Sequence, residues 1–465
     1  MSIRLFRMYV KVPIVLLALI EGLLLVYTPF LAAALRRNGG GAGLAAPAGD
    51  LLPTALLFAV FGLLCLFAVG LYSVRQRSTF GGMFVRIVTA VGSASALLAI
   101  AYYLVPALAV DPGLLGIIAG IAVVVLVIVR LLFERIVDQD LFKRRVLVYG
   151  AGRRTQSLLQ LRRRSDTRGF KIVAFIATEG DTVNAPADRL IARPPDLFRW
   201  AIDHEIDEIV VTMDDRRRGF PMHELLECRL AGIEINELPS FLERETGKVR
   251  LDVMNPSWII FGEGFRASPL QRALERGFDV IASFMLLVIA LPFMLLAAAA
   301  IKLEDGWDAP ILYRQRRVGR YSEVFDVFKF RSMSVDAEKD GAVWAVADDP
   351  RVTRVGACIR KTRIDELPQL FNVLRGDMSF VGPRPERPEF VEQLEQKIPY
   401  YRERHTVKPG ITGWAQLCYP YGSSEKDALE KLQYDLYYVK NRSLLFDLAI
   451  LVQTVEVVLW GKGAR

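Results

Sequence analysis

Asp365 and Glu366 stand side by side in RKTRIDELPQLFNVLRGDMSFVGPRPE, residues 360–386, with Arg360, Lys361 and Arg363 just before them and Arg384 after. An ionised carboxylate can attack phosphorus or hold a divalent metal, so an acidic pair among cations is a candidate centre for phosphate chemistry. Pro368 suits the first turn of a helix and disfavours the helical region at Leu367, which predicts a helix that starts just after the pair and ends at Gly376. The positive end of that helix and the nearby arginines are expected to keep both carboxylates ionised at neutral pH. A solvated pair in a polar loop is the bland alternative for any isolated Asp-Glu. Phosphate ligands are sought among arginines, whose planar fork matches phosphate oxygens where lysine offers a point charge. Arg314, Arg317, Lys329, Arg331, Arg351, Arg354, Arg360 and Arg384 are the candidates. Pro383 and Pro385 fix the backbone on either side of Arg384. In KPGITGW, 408–414, Pro409 and Gly410 are expected to make a tight turn, with Trp414 either at a membrane interface or in the core.

Five stretches carry a resemblance: RQRRVGR (314–320), KFRSM (329–333), DDPRVTRVG (348–356), IRKTRIDELPQLFNVLRGDMSFVGPRP (359–385) and KPGITGWAQ (408–416). In this order they resemble the catalytic core of the bacterial sugar transferases, the polyprenyl-phosphate sugar-1-phosphate transferases also called monotopic phosphoglycosyl transferases. The resemblance implies a two-step reaction. A nucleophilic Asp takes a phosphosugar from a nucleoside-diphosphate sugar and releases the nucleoside monophosphate; a polyprenyl phosphate then takes the phosphosugar from Asp. By position in the motif, Asp365 is the implied nucleophile and Glu366 its partner in holding Mg2+. Arg360 falls beside the pair and Arg384 at the nucleotide diphosphate, with Lys329, Arg331 and Arg317 completing the phosphate-binding set. The resemblance also implies a re-entrant membrane helix, here 278–301, entered through Arg276 and Asp279 and turned at Pro292. The family's usual basic pair before Phe-Asp reads Glu275-Arg276 in this chain.

These residues need elements to hold them. With 465 residues, 52% of them hydrophobic, and a mean hydropathy of +0.28, the chain is too long for one ordinary domain and too apolar to be wholly soluble. Its net charge of +8 suits anionic headgroups or phosphate-bearing substrates. Nucleic acid is discounted because the arginines lie among apolar segments and form no basic, aromatic-interleaved tract. Cys65, Cys228, Cys358 and Cys418 are too scattered for a zinc site or a disulfide framework, and His204, His223 and His405 form no ligand pattern.

Apolar stretches at about 12–35, 51–71, 85–107 and 113–133 are each long enough to cross a bilayer. Arg4, Arg7 and Lys11 precede the first, Arg75, Arg77 and Arg86 separate the second from the third, and Arg135, Lys143, Arg144 and Arg145 follow the fourth, so both ends of this bundle are expected in the cytoplasm. Arg36 and Arg37 run against that assignment, and Glu21 is a lone acid inside the first span. From Arg145 the strands RRVLVYGAG, KIVAFIA and DEIVVTMDD read as a Rossmann-like module. Its Gly150 and Gly152 are two of the three fingerprint glycines, Thr155 stands in the third place, and the second strand ends in Ala177-Thr178 where a ribose-binding acid is expected, with Glu179 reachable only by a register shift. No use of NAD in catalysis is expected.

The uncharged run 280–301 is long enough to span, but basic residues flank both ends, Arg266, Arg272 and Arg276 before it and Lys302 and Arg314 after. Pro292 near its middle is expected to break the helix and turn it back. Past Gln416 the YPYG stretch departs from the common family pattern, a helix is expected from about Ser424, and 444–460 reads as an amphipathic helix.

The fold class expected is a membrane protein, α and α/β. It comprises a transmembrane four-helix bundle (1–140), a Rossmann-like cytoplasmic module (141–245), a linker (246–270) and a mostly α catalytic domain (271–465). The expected place is the bacterial inner (cytoplasmic) membrane, catalytic domain on the cytoplasmic face, acting on a nucleoside-diphosphate sugar, polyprenyl phosphate and membrane lipid. The module is free to bind a nucleotide as a signal or to pair two protomers as a homodimer. The rivals are a membrane-tethered nucleotide-sugar dehydratase or oxidoreductase, for which no tyrosine has a lysine four residues on, and a non-enzymatic scaffold of polysaccharide assembly.

Overall fold

The computed structural model describes the chain apart from residues 1, 6–7, 39–50, 73–79, 107–109, 138–142, 162–163, 168, 179–181, 216–218, 255–264, 266–267, 335–349, 420–421, 423 and 461–465. Arg75, Arg77, Glu179 and Arg266 therefore lie outside the described residues, as do the start of DDPRVTRVG and the middle of YPYG. The chain forms two compact units, Met1–Met254 and Asn255–Arg465.

In the first unit a short hairpin, β1 (Ser2–Leu5) and β2 (Met8–Lys11), precedes α1 (Val12–Asn38), α2 (Leu51–Ala68), α3 (Phe80–Leu104) and α4 (Pro112–Val137). All four helices are long and apolar enough to cross a membrane, and α1 packs on α2 and α4, α2 on α3, and α3 on α4. The buried charges described on the first and fourth helices are paired, as a low-dielectric interior requires. Glu21 on α1 is fully buried against Arg130 of α4 at 2.7 Å and accepts the Tyr72 hydroxyl, while Arg36 at the far end of α1 pairs with Asp111 before α4. The two charges that looked out of place in the sequence thus tie the first helix to the fourth, Glu21 from within its span and Arg36 near its C-terminal end.

The module that follows is a five-stranded parallel sheet in the order β5-β4-β3-β6-β7, built from β3 (Arg144–Tyr149), β4 (Phe170–Ile176), β5 (Leu190–Ile191), β6 (Glu208–Val211) and β7 (Glu234–Glu237). α5 (Thr155–Leu159), α6 (Arg164–Thr167), α7 (Leu197–Asp203), α8 (Met222–Leu230) and α9 (Leu238–Thr246) connect and cover it. β5 and β7 escaped the sequence reading because one is two residues long and the other, EINE, has no apolar alternation. Val253, expected in the linker, belongs to this core, in one buried cluster with Phe241, Leu242, Val146, Val148 and Phe175.

The second unit starts with α10 (Pro269–Asp305), 37 residues long, capped by the Ser268 hydroxyl, which accepts from Gln271 N–H at 3.1 Å. Asp279, Ser283, Ala290, Met294, Ala297 and Ile301 form its buried face. Its other faces expose large apolar groups, among them Ile281, Phe284, Met285, Ile289, Leu295 and Leu296, all at least 60% accessible. The expected break at Pro292 is absent: the helix continues through it. Proline in a helix interior forfeits one backbone bond, and packing of Met294, Ala297 and Ile301 on Phe330 and Ile359 holds the turns that follow.

An antiparallel hairpin, β8 (Leu312–Val318) and β9 (Val324–Phe330), leads to α11 (Arg354–Lys361), a 3-10 turn at Ile364–Glu366, and α12 (Gln369–Arg375), which ends at Gly376 as expected. Beyond these come β10 (Ser379–Val381), α13 (Pro388–Lys397), β11 (Gly410–Thr412), α14 (Trp414–Cys418), α15 (Glu425–Asn441) and α16 (Leu444–Trp460). α15 opens with a capping box between Ser424 and Asp427, close to the expected start. Pro409-Gly410 does not make the expected tight turn. β11 lies parallel to β10, and a Cβ at Gly410 would come within 2.1 Å of the Gly382 nitrogen, so the requirement is close approach of two backbones. Trp414 packs on Phe446 and Tyr437, with ring centroids 5.2 and 6.2 Å away, which is the core alternative. Gly410→Ala is expected to destabilise this unit by about 3 kcal/mol through overpacking, read as a clear drop in Tm on thermal unfolding, because backbone atoms cannot yield as a side chain would.

Candidate active site

The loop from α11 to α12 decides where the acidic pair points. Arg363 takes the left-handed conformation, φ 60°, unusual for a residue with a Cβ and costing on the order of 1 kcal/mol. The chain then tightens into the 3-10 turn that carries Asp365 and Glu366. Leu367 is helical, φ −56° and ψ −35°, contrary to the expectation from Pro368; i to i+3 bonding carries the turn into α12, and proline's missing N–H interrupts nothing there. Ile364 and Leu367, on either side of the pair, pack into the apolar cluster of Phe330, Ile359 and α10.

The two carboxylates are not equivalent. Glu366 accepts from Arg384 at 3.2 Å and lies 3.5 Å from Arg363; burial works against its charge, but Arg384, Lys329 and Arg363 outweigh it and hold the carboxyl at about 2. Asp365 is 92% buried, and burial and the neighbouring Glu366 push its carboxyl above the ordinary range while Lys329, Arg360 and Arg363 oppose them. Its Oδ1 is buried with no hydrogen-bond partner among the described residues. Lys329, on β9, is near enough to Glu366, Arg384 and Asp365 to feel their charges, and burial lowers its ammonium to about 8. Arg317 donates to the Pro385 carbonyl at 3.1 Å and lies 3.5 Å from Glu386, and its charge is felt at Lys329.

Asp365, Glu366, Lys329, Arg317, Arg360 and Arg384 are therefore brought together. Arg331 is not seen with them: its backbone N–H bonds to Ile311 and its Nη1 is buried without a hydrogen-bond partner among the described residues. Arg314 stacks over Phe328, 5.6 Å from the ring centre. Arg276 spends both guanidinium nitrogens on the carbonyls of Val373 and Leu374, at 2.6 Å each, and Asp279 accepts from Ser379 Oγ and Phe380 N–H, so both are engaged with protein.

Supporting residues went unnoticed in the sequence. Asn372, fully buried, accepts from Phe328 N–H at 3.0 Å and donates to the Asp326 carbonyl at 2.7 Å, stitching α12 to the strand that carries Lys329. An asparagine inside QLFNVL was the available signal, since a polar group in an apolar helix face needs a partner. Arg404, buried, donates to the Arg384 carbonyl at 3.0 Å and pairs with Asp435 at 2.8 Å; burial raises that carboxyl to about 6 even with the guanidinium against it. No spacing in the sequence links 384, 404 and 435.

The Rossmann-like loop is filled by its own chain. Gly150, at φ 117°, lets the strand pass within contact of Thr212 and Met213, and the Thr155 hydroxyl donates to the Gly150 carbonyl at 3.0 Å. Where the loop's N–H groups would face a phosphate, those of Arg153 and Arg154 donate to the Asp214 carboxylate at 2.8 and 3.1 Å.

An acidic pair with cations around it, packed against a helix with an apolar outer surface, is the arrangement a membrane-associated enzyme of phosphate groups needs. The family described as bacterial sugar transferase matches residues 270–461, the segment that contains it. The UDP-N-acetylgalactosamine-undecaprenyl-phosphate N-acetylgalactosaminephosphotransferase of Aeromonas hydrophila is 42% identical over 271 residues, 58% of this chain and 62% of that one. The UDP-glucose:undecaprenyl-phosphate glucose-1-phosphate transferase of Escherichia coli (strain K12) is 34% identical over 319 residues, 67% of each chain, and the exopolysaccharide production protein PSS of Rhizobium leguminosarum bv. phaseoli is 41% identical over 197 residues, 41% of this chain and 98% of that one. The match thus spans less than two thirds of the Aeromonas relative's own length. The chain belongs to the bacterial sugar transferase family.

His405 lies on the turn that carries Arg404, and burial, with Arg404 and Arg402 nearby, lowers its imidazole to about 3. A depressed histidine is neutral in the fold, so its contribution to stability is complete above pH 6.5 and is lost as pH falls from there toward 3. His405→Gln is accordingly expected to show a shallower fall in Tm between pH 7 and pH 4 than the unaltered protein; equal slopes would mean that His405 does not contribute to acid sensitivity.

Proposed function

We propose that the chain transfers a sugar 1-phosphate from a nucleoside-diphosphate sugar, a UDP-sugar, to undecaprenyl phosphate, initiating a surface polysaccharide, with Asp365 as nucleophile. The observation that carries this reading is the buried Asp365 Oδ1, without a hydrogen-bond partner among the described residues, next to a Glu366 already fixed by Arg384. A desolvated carboxylate with its basicity raised is a better nucleophile than a solvated one. It attacks the phosphorus that bears the sugar, the bond to the nucleoside monophosphate breaks, and the leaving phosphate takes the electron pair beside Arg384, Lys329 and Arg317. An oxygen of the lipid phosphate then attacks the same phosphorus, and Asp365 leaves as the carboxylate. Residues 365 and 366 fit a divalent cation: one free buried oxygen beside a second carboxylate matches the way Mg2+ is held by one or two carboxylates together with substrate phosphates. Bound there, Mg2+ would neutralise diphosphate charge.

The chemistry is assigned to residues past about 270, with the bundle and module as attachments. Both ends of α10 bond to the unit that carries Asp365. That supports a helix entering and leaving the bilayer on one side, with its exposed apolar faces in lipid and the site on the cytoplasmic face of the inner membrane. The carboxylate of Asp214 in the phosphate position of the module argues against a dinucleotide there, and so against the oxidoreductase alternative.

Asp365→Asn should abolish transfer, and Glu366→Gln should reduce it steeply by weakening the cation's hold. With a radiolabelled UDP-sugar and no acceptor, the unaltered protein should become phosphoglycosylated at Asp365; full turnover by the Asn variant would refute the mechanism. For topology, Arg272→Cys and Asp308→Cys, in a background without native cysteines, should both resist an impermeant thiol reagent on intact cells and react after permeabilisation. Reaction of one but not the other from outside would mean that α10 crosses the membrane.

A further inference from the structure

Helix α10 grips the segment that carries Asp365 and Glu366 at its two outer ends. At one end the Glu304 carboxylate accepts from Arg354 N–H and Val355 N–H, at 2.9 Å each, which are free donors of the first turn of α11. At the other, Arg276 donates to the carbonyls of Val373 and Leu374, acceptors in the last turn of α12. Each charge has the sign that its helix end favours, an anion at an N-terminus and a cation at a C-terminus. Between them Ile364 and Leu367 rest on the same apolar cluster as Leu287, Ala290 and Ala298 of α10. The two grips are 28 residues apart on one helix, about 42 Å at the α-helical rise, so α10 bears on α11, the 3-10 turn and α12 from end to end.

We propose that Glu304 and Arg276 are positioning residues for the transfer reaction: through them α10 sets the span of the α11–turn–α12 segment and with it the placement of Asp365 and Glu366. Neither touches the reacting atoms. Two local interactions of opposite sign act on one mechanical element, so loosening either end lets the turn drift. This inference rests on the reading of residues 365 and 366 as the reaction centre.

The experiment uses the full chain in lipid nanodiscs, with undecaprenyl phosphate and whichever of UDP-glucose and UDP-N-acetylgalactosamine the unaltered protein turns over. Glu304→Gln keeps the side-chain shape but loses the charge and one acceptor; Arg276→Gln loses the paired donors. Each variant is expected to lower kcat by roughly 10- to 100-fold, as a displacement of about an ångström at a reacting group does, with KM for the sugar nucleotide within about twofold and the fraction of chains that bind it unchanged. The double variant should be little slower than the slower single one, since one freed end already releases the segment. Unchanged kcat in Glu304→Gln would overturn the proposal. So would a loss explained by a smaller binding-competent fraction at normal turnover per competent site, which marks a folding role, or losses that multiply in the double variant, which mark two unrelated helix caps. Failure of the nucleophile reading is distinguishable: the unaltered protein would turn over without label at Asp365, and the positioning effect would still be read from kcat.

Discussion

Two carboxylates on adjacent residues repel each other, and taking them out of water strengthens the repulsion. The catalytic unit is arranged around that constraint. Glu366 is held ionised by Arg384 and Arg363 with Lys329 close by, so the cost of the second charge falls on Asp365, whose carboxyl is raised and whose buried Oδ1 has no hydrogen-bond partner among the described residues. The asymmetry divides labour between residues one position apart. One is locked to an arginine, and the other keeps a buried oxygen without a hydrogen-bond partner among the described residues. The left-handed Arg363 is the local backbone cost of presenting both on one short turn.

The cations are in turn fixed by groups that carry no chemistry. Arg404, itself paired with Asp435, donates to the Arg384 carbonyl, β10 and β11 approach so closely that only glycine fits at 382 and 410, and Asn372 binds β9 to α12. α10 combines two kinds of interaction. Its outer faces present the apolar area expected of a lipid contact, while its inner face offers Arg276, Asp279 and Glu304 to backbone groups of the catalytic unit. A helix that only anchored the chain would have no need of those ties.

The first unit handles charge in the same way. In the bundle, Glu21 pairs with the buried Arg130, and at the end of the first helix Arg36 pairs with Asp111. In the module, the donors that a nucleotide phosphate would use in a dinucleotide-binding fold are satisfied by Asp214, and the threonine in place of the third glycine fastens the loop shut. The sheet topology of a nucleotide-binding fold is retained, with its anion position filled from within.

By itself the sequence determined the family, the four spans, the parallel-sheet module and the location of the acidic pair, because each is a local signal: apolar runs of bilayer length, strands bounded by glycine, and motifs contiguous in the chain. It also placed the end of α12 at Gly376 and the start of α15 near Ser424, where single residues dictate caps. Tertiary structure alone decided which carboxylate is depressed and which raised, since that depends on Arg384 and Lys329 arriving from distant segments. It decided as well that helix α10 runs on through Pro292, and that Gly410 serves close strand contact where a turn was expected. Proline and glycine state what a backbone can tolerate; the packing around them determines which of the tolerated paths the chain takes.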